Sequence, residues 1–473
     1  MQSMIARHIH RLVTILLLLG LAGCTTFSPD GGFASVQQTI QDRIGKELRW
    51  ARSDADREAN AMRVRELLQK PLAIDDAVQI ALLNNPGLQA AFAELGVSEA
   101  DLVQAGRLSN PHLTLLRVRH DDDYKIEQVL TFNVFSLITL PMATEMERRR
   151  FESVQRAVAV EVLRLAADTR KAWILTVSVE ENVRYATQVK TVADASAELA
   201  RRMLRVGNWS KLSQAREQGF YADAALNLAR AVQNQTGTRE KLTRLMGLWG
   251  EDTHFKLPER LPDLPAIADE LPNVEQIALR QRLDVQAVRM EMEATARNLG
   301  LTRATRFINA LELGPARVLE GKKSDPFKKG YELSLEIPLF DWGSAKVAKA
   351  EARYMQSAYR LAEAAINARS EVREAYHGYR LSYDIAKHYR DEIVPIKKRI
   401  ADENLLRYNG MLIGVFDLLA DARSQIASVN GYIDALRDFW LAKADLDMAM
   451  IGKPNMTAPS AGPASAAAAP AGH

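Results

Sequence analysis

The stretch YELSLEIP, Tyr331 to Pro338, decides how the rest of the chain is read. Tyr331, Leu333, Leu335 and Ile337 alternate with Glu332, Ser334, Glu336 and Pro338, the period of two that gives a β-strand one apolar and one polar face. An earlier stretch, 126–134, repeats the pattern: Ile126, Leu130, Phe132 and Val134 share one parity, and only Gln128 is out of place. Each strand has a candidate partner just before it, HLTLLRVRH at 112–120 and FINALEL at 307–313. The segment DDDYK at 121–125 reads as a short loop, and GPARVLEGKKSDPFKKG at 314–330, rich in Gly, Pro and Lys, as a long one. The expectation is two β-hairpins, four strands in all.

Outward from the hairpins the pattern is helical. Residues 74–107 and 274–306 carry apolar side chains at spacings of three and four, and so do the long segments from about 142 to 205 and from about 344 to 407. A helix of that length is roughly 96 Å long at 1.5 Å per residue, in the range of a coiled coil. Short breaks follow, VGNWS at 206–210 and YNGMLIG at 408–414, after which a further helix returns to about Met246 or Met450. The chain also repeats itself: QIALLNNPGLQA at 79–90 aligns with QIALRQRLDVQA at 276–287, and LTFNVFSLITLP at 130–141 with LSLEIPLFDWGS at 333–344. Arg170, Ala172 and Trp173 likewise match Arg373, Ala375 and Tyr376. Repeats of this length are duplicated domains, not solenoid units. The expected organisation is a signal peptide at 1–23, an N-terminal segment at 24–73, a first repeat at 74–248, a Pro-rich linker at 249–272, a second repeat at 273–452 and a low-complexity tail at 453–473 too poor in large apolar groups to fold.

This plan has physical consequences. Long helices with apolar stripes bury them against other helices, and a coiled-coil stalk would satisfy that need alone. The strands require more. About eight strands are the fewest that close a useful barrel, and an open edge cannot face lipid with unpaired backbone groups. If the apolar parity, Ile126, Leu130, Phe132, Val134, Tyr331, Leu333, Leu335 and Ile337, faces lipid, several chains share one barrel, two or three by strand count alone. Glu332, Ser334 and Glu336 then line a wet lumen. Tyr124, Tyr331, Phe340 and Trp342 near the strand ends suit interfacial belts, although aromatic residues also serve as core.

The N-terminus fits such a destination. Arg7 and Arg11, the apolar run Leu12 to Leu19 and the small residues Gly20, Ala22 and Gly23 form a secretory signal too short to span a bilayer. Leu21-Ala22-Gly23-Cys24 looks like a bacterial lipobox, which makes Cys24 the site of diacylglycerol attachment and N-acylation, and more than one acyl chain anchors stably. Thr25 follows where an aspartate would signal inner-membrane retention. Cys24 is the only cysteine, which excludes an intramolecular disulfide and a thiolate zinc site. The whole chain has a formal charge of +3, and losing the signal removes two basic and no acidic residues, so nucleic acid is not an expected partner.

Catalytic patterns are missing. There is no phosphate loop, no dinucleotide fingerprint, no HExxH and no Ser-His-Asp or Cys-His arrangement, so an enzyme, a cofactor or a resident metal is not expected. RHDDD at 119–123 reads as a divalent-ion loop or a polar hairpin tip, and MERRRF at 146–151 as a headgroup-facing patch or a solvated helix face.

The lipobox at Cys24, LAIDDAVQIALLNNPGLQAA at 72–91, LEIPLFDWGSA at 335–345 and RYNGMLIGVFDLLADAR at 407–423 together resemble the TolC-type outer-membrane efflux proteins, over essentially 36–452 and in order. The resemblance implies a mainly α fold with a small β part: duplicated long antiparallel helical hairpins in an α-helical barrel, and four strands per chain in a trimeric 12-stranded outer-membrane β-barrel. It further implies a homotrimer, lipid-anchored in the outer membrane, that receives cargo from a periplasmic adaptor and an inner-membrane transporter. Val206, Gly207, Asn208, Trp209 and Ser210 would form the first adaptor-docking tip, and Arg407, Tyr408, Asn409, Gly410 and Met411 the second. Tyr408 and Asp417 match the family's aperture gate; the second acidic position is Ala420, with Asp421 beside it, and the tip glycine lies one position early, leaving Met411 in its place. GNWSKL at the first tip and the lipoprotein start point toward heavy-metal cations as cargo, with drug or protein export and a non-transporting coiled-coil lipoprotein as alternatives.

Overall fold

The computed structural model describes residues 26–307 and 311–455. Cys24, the signal segment, Ile308 to Ala310 and most of the C-terminal tail lie outside the described residues. The described helices are α1 (Phe33–Ile44), α2 (Asp54–Leu68), α3 (Ile74–Asn84), α4 (Pro86–Ala105), α5 (Val134–Arg205), α6 (Lys211–Met246), α7 (Val274–Gln281), α8 (Leu283–Thr305), α9 (Ser344–His388), α10 (Val394–Asn409) and α11 (Val415–Ile451). The strands are β1 (His112–His120), β2 (Asp123–Asn133), β3 (Leu311–Lys322) and β4 (Lys328–Leu335), which form one antiparallel sheet in the order β1-β2-β3-β4. Two compact units cut across the sequence repeats, each drawing on both halves.

The first unit comprises residues up to 38, 91–158 and 284–365, and it holds the sheet. HLTLLRVRH is a strand over its whole length, but four boundaries differ from the sequence expectation, the first being that β2 already begins at Asp123, so the expected loop DDDYK keeps only residues 121 and 122 as turn. The 314–330 segment is mostly strand: β3 runs from Leu311 to Lys322, and the turn is confined to 323–327. Its glycine and proline mimic a loop locally, yet Gly314 lies so close to β2 that an added Cβ would meet the Leu130 carbonyl at 1.7 Å. The β2–β3 register skips Gly314 and Pro315, where proline has no N–H for the ladder, and resumes at Phe132 opposite Leu313. Val134 is the first residue of α5 and not a strand residue, and Ile337 lies beyond the end of β4. In the second repeat eight non-helical residues, 336–343, separate strand from helix. Pro338 and Gly343 account for this: Gly343 has φ +74° and sits against the Arg306 carbonyl, while Asp341 accepts its N–H at 2.8 Å.

The start of the N-terminal segment, up to residue 38, belongs to the same unit. Phe33 meets Phe92 edge-on at 5.0 Å, Gln155 donates to the Gly32 carbonyl at 3.0 Å, and Ser28 N–H donates to Glu99 at 2.7 Å. The basic stretch around Arg148 is not an open cationic patch. Arg148 and Arg149 pair with Glu145 and Glu152, and Arg150 with Glu147, along one helix. Arg148, Arg297 and Arg149 hold the Glu145 carboxyl down at about 2.

The second unit comprises 39–90, 159–283 and 366 onward. Its core joins Trp173 and Val177 of α5, Leu242 and Met246 of α6, Tyr379 and Tyr383 of α9 and Phe439 of α11. The expected single helices at 74–107 and 274–306 are each broken, at Asn85 and Arg282, which are equivalent in the repeat. At Asn85 the following proline disfavours helical backbone, and the side chain caps Leu88 N–H and donates to the Leu245 carbonyl. At Arg282 no proline follows; instead the guanidinium, 1% exposed, pairs with Glu371 at 2.7 Å. The Pro-rich segment 249–272 is laced down rather than slack. Tyr379 accepts Asp269 N–H, while Tyr383, Trp440 and Arg390 donate to the carbonyls of Ala266, Pro262 and Leu264. The expected run 344–407 is interrupted by a π-helical turn, Tyr389–Ile393, ahead of Pro395, whose missing N–H cannot continue an α ladder. The Tyr389 ring packs on Gly431 of α11, where a Cβ would come within 2.6 Å.

Candidate membrane face and helical tips

Register sorts the side chains of the sheet onto two faces, because residues directly opposite in an antiparallel pair point the same way. Leu113 lies opposite Leu130, Phe132 opposite Leu313, Leu313 opposite Leu333, Pro315 opposite Tyr331 and Leu311 opposite Leu335. Six of the eight side chains expected to meet lipid, Ile126, Leu130, Phe132, Tyr331, Leu333 and Leu335, therefore share one face. That face is largely uncovered within the chain: Leu113, Leu115, Leu333 and Tyr331 are 63, 67, 60 and 82% exposed. The other face carries Thr114, Glu127, Thr131, Glu312, Glu332 and Ser334, and it is the more enclosed side of β2, where Val129 and Thr131 are buried. Among the described residues β1 and β4 each have one strand neighbour, so both outer edges keep unpaired backbone groups. Past β4, Ile337, Leu339, Phe340 and Trp342 are exposed, and Trp342 packs edge-on against Phe307 at 6.3 Å.

The two helical breaks at 206–210 and 408–414 are built alike. In the first, Gly207 takes φ +78°, its N–H reaches the Leu204 carbonyl, and Asn208 N–H reaches Met203 at 2.9 Å. In the second, Met411 takes φ +60°, its N–H reaches the Tyr408 carbonyl, and Leu412 N–H reaches Arg407 at 2.9 Å. Both are left-handed C-caps. The displaced glycine, Gly410, has φ −83°, so Met411 itself takes up the strained conformation. The next helices start with side-chain caps: Ser210 accepts Ser213 N–H at 3.0 Å, and Asp417 accepts Gly414 N–H at 3.2 Å. Val206, Leu212, Met411 and Leu412 leave exposed apolar side chains around these turns.

Tyr408 is partly exposed on the last turn of α10, and Asp417 is exposed on the first turn of α11. Asp421, one turn further, accepts a hydrogen bond from Asn404, which leaves Asp417 the more open carboxylate of the two. A network that sequence reasoning missed lies nearby. Arg423 of α11 donates to both carboxylate oxygens of Glu217 on α6 at 2.7 Å, Ser196 of α5 donates to Glu217 at 2.8 Å, and the Arg423 guanidinium stacks 4.1 Å from the Phe220 ring. Three helices are thus pinned around one carboxylate that is 2% exposed. Glu217 has no basic residue three or four positions away on its own helix, the one local sign that its partner comes from elsewhere.

Among the described residues no cluster of three or more His, Cys, Asp or Glu could hold a metal ion, and no helix is long and apolar enough to cross a membrane. Of RHDDD, Asp121 and Asp122 form the β1–β2 turn, with Asp121 at φ +52° and Arg119, at the end of β1, donating to its carbonyl at 2.7 Å.

Comparison with known proteins agrees with this geometry. The outer membrane efflux protein family matches residues 274–431. The cobalt-zinc-cadmium resistance protein CzcC of Cupriavidus metallidurans is 24% identical over 277 residues, which span 57% of this chain and 64% of that protein. The chain therefore aligns with slightly less than two thirds of that relative's length. Among solved structures, CusC, described in terms of folding and transmembrane channel formation, superposes with a TM-score of 0.66 at 18% identity, covering 80% of this chain and 92% of its own. The outer membrane channel CmeC of Campylobacter jejuni superposes with a TM-score of 0.68 at 17% identity, covering 80 and 85%. The resemblance to TolC-type outer-membrane efflux proteins read from the sequence holds, and the fold, long helices with a four-stranded sheet, is theirs.

Proposed function

We propose that this chain, which has the fold and the family signature of the TolC-type outer-membrane efflux proteins, is the channel subunit of a tripartite export system and passes heavy-metal cations. The observation that carries the reading is the sheet: four strands with an exposed apolar face and two unpaired edges. Such a sheet is unfit for water and unable to close alone, and three copies joined edge to edge give a 12-stranded barrel in which every backbone group is paired. The apolar face then meets outer-membrane lipid and the polar face lines the pore. In a homotrimer the paired long helices supply an α-helical conduit into the periplasm, and the exposed apolar residues at Val206, Leu212, Met411 and Leu412 suit docking by a periplasmic adaptor. The adaptor in turn couples to an inner-membrane transporter that supplies the energy. No chemistry is performed on the cargo, and the chain needs neither cofactor nor nucleic acid.

Three copies of Tyr408 and Asp417 narrow the periplasmic aperture, and the carboxylates bias it toward cations, as acidic rings do in other pores. Acylation at Cys24 holds each chain to the membrane independently of the barrel. Metal cations are favoured over drugs or peptides as cargo by the likeness to a cobalt-zinc-cadmium resistance protein. A coiled-coil lipoprotein without transport is disfavoured by the sheet, since a stalk has no use for an uncovered apolar β-face. Metal accumulation tests the cargo. Cells lacking the protein should retain more zinc, cobalt or cadmium than cells expressing it. Equal metal content, with a difference confined to drug retention, would overturn the metal reading and leave the channel intact.

A further inference from the structure

The register also segregates charge. Arg117, Arg119, Arg317 and Lys329 fall on the apolar face of the sheet, which holds no acidic residue. All the strand carboxylates, Asp123, Glu127, Glu312, Glu320 and Glu332, fall on the other face, where Lys125 pairs with Glu127 and Lys328 with Glu320. Among the described residues none of the four cations on the apolar face has a carboxylate within ion-pair distance. Arg317 and Lys329 are direct cross-strand partners, a like-charge pair that destabilises a sheet unless an anion lies between them. Their position is as specific as their sign. Counting from the Leu311–Leu335 pair, the first cationic row, Arg317–Lys329, lies six residues along the strands, about 20 Å at 3.3 Å per residue, and Ile126 and Leu319 share the next row with Arg117. Arg117 and Arg119 continue toward the hairpin turns, flanking Tyr124 at 5.6 and 5.5 Å from its ring. The order along this face is apolar rows, then rows in which the cations share the face with Ile126, Leu319 and Tyr124, then the turns.

We infer that this basic belt binds the phosphate groups of a phosphorylated glycolipid in the outer leaflet, where the hairpin turns emerge. The inference rests on the barrel reading above, which puts this face against lipid. Guanidinium groups without a carboxylate partner at that depth are costly in hydrocarbon and favourable beside phosphate, which arginine meets with paired donors. A glycolipid bearing phosphate monoesters fits better than a single phosphodiester headgroup because four cations per chain, repeated around the barrel, present a dense row of positive charge.

The test uses the full-length lipidated oligomer in three kinds of vesicle: phosphatidylcholine alone, phosphatidylcholine with diphosphoryl lipid A, and phosphatidylcholine with phosphatidylglycerol at matched surface charge. Diphosphoryl lipid A should raise the melting temperature of the oligomer by about 3–5 °C, as expected for a ligand selective for the folded state. Phosphatidylglycerol should do distinctly less. The combined variant Arg117→Gln, Arg119→Gln, Arg317→Gln and Lys329→Gln should lose the shift, whereas Lys322→Gln with Lys328→Gln on the opposite face should keep it. If the combined variant does not assemble, Arg117→Gln and Arg317→Gln made singly should each lose part of it. An equal shift with phosphatidylglycerol, or an undiminished shift in the variants, overturns the inference while leaving the barrel in place. Failure of the wild-type protein to insert into any of the vesicles overturns the barrel reading and this inference with it.

Discussion

Single residues carry the strain and the buried charge of the second unit. Met411 adopts φ +60° where the equivalent turn uses Gly207. A non-glycine residue there costs about 1 kcal/mol, so Met411→Gly should raise thermal stability by roughly that amount. Gly207→Ala should lower it similarly, since the space around Gly207 is open and only the backbone resists. Removing Arg423 leaves Glu217 buried without its cation, at a cost of about 3 kcal/mol, whereas Glu217→Gln with Arg423→Met should be far milder because no charge is stranded. Calorimetry on the two variants separates these outcomes. Glu181 gives a pH dependence of opposite sense to most carboxylates. Burial raises its pKa despite Arg184 and the Leu261 N–H. The folded state then binds a proton more readily than the unfolded chain, so this group's contribution to stability falls as pH rises from its ordinary value of 4.5 through the raised one and stays low above it. Glu181→Gln should therefore stabilise the protein at pH 7 and do little at pH 4, and equal effects at both would remove the burial argument.

At the scale of elements, the sheet makes the sharpest claim. Leu333 and Leu335 lie on the apolar face and Ser334 between them on the polar one. In the proposed barrel, arginine at either leucine puts a charge in lipid at about 2–4 kcal/mol near the midplane, so Leu333→Arg with Leu335→Arg should abolish membrane assembly. Ser334→Arg, on the polar face, should assemble normally, and heat-resistant oligomers on a gel read both. Elements also show what the sequence made legible. The strand at 112–120, both tips and the duplicated plan can be read directly, because alternation, turn residues and repetition are local. The extent of β3 cannot, because Gly314 and Pro315 look like a loop until β2 and β4 lie on either side. The break at Arg282 is hidden for the same reason: the side chain there is buried and pairs with Glu371, 89 residues away. The π turn before Pro395 and the Arg423–Glu217 pair likewise depend on partners that spacing does not reveal.

At the scale of the whole molecule, the unpaired edges of β1 and β4 and the uncovered apolar face make the single chain an incomplete object, and in the proposed assembly three chains around one pore complete it. The open carboxylate at Asp417 would then set ion preference without holding the assembly together, so Asp417→Asn should reduce cation selectivity and leave the oligomer unchanged. The most direct test of the shared barrel is planar-bilayer conductance of the purified, full-length oligomer, with its mass determined in the same detergent and variants at Tyr408 and Asp417 recorded alongside. A three-chain particle that forms discrete channels, opened further by those variants, is the predicted result. A stable single-chain particle, or a three-chain particle that never conducts even when both positions are changed, would contradict it.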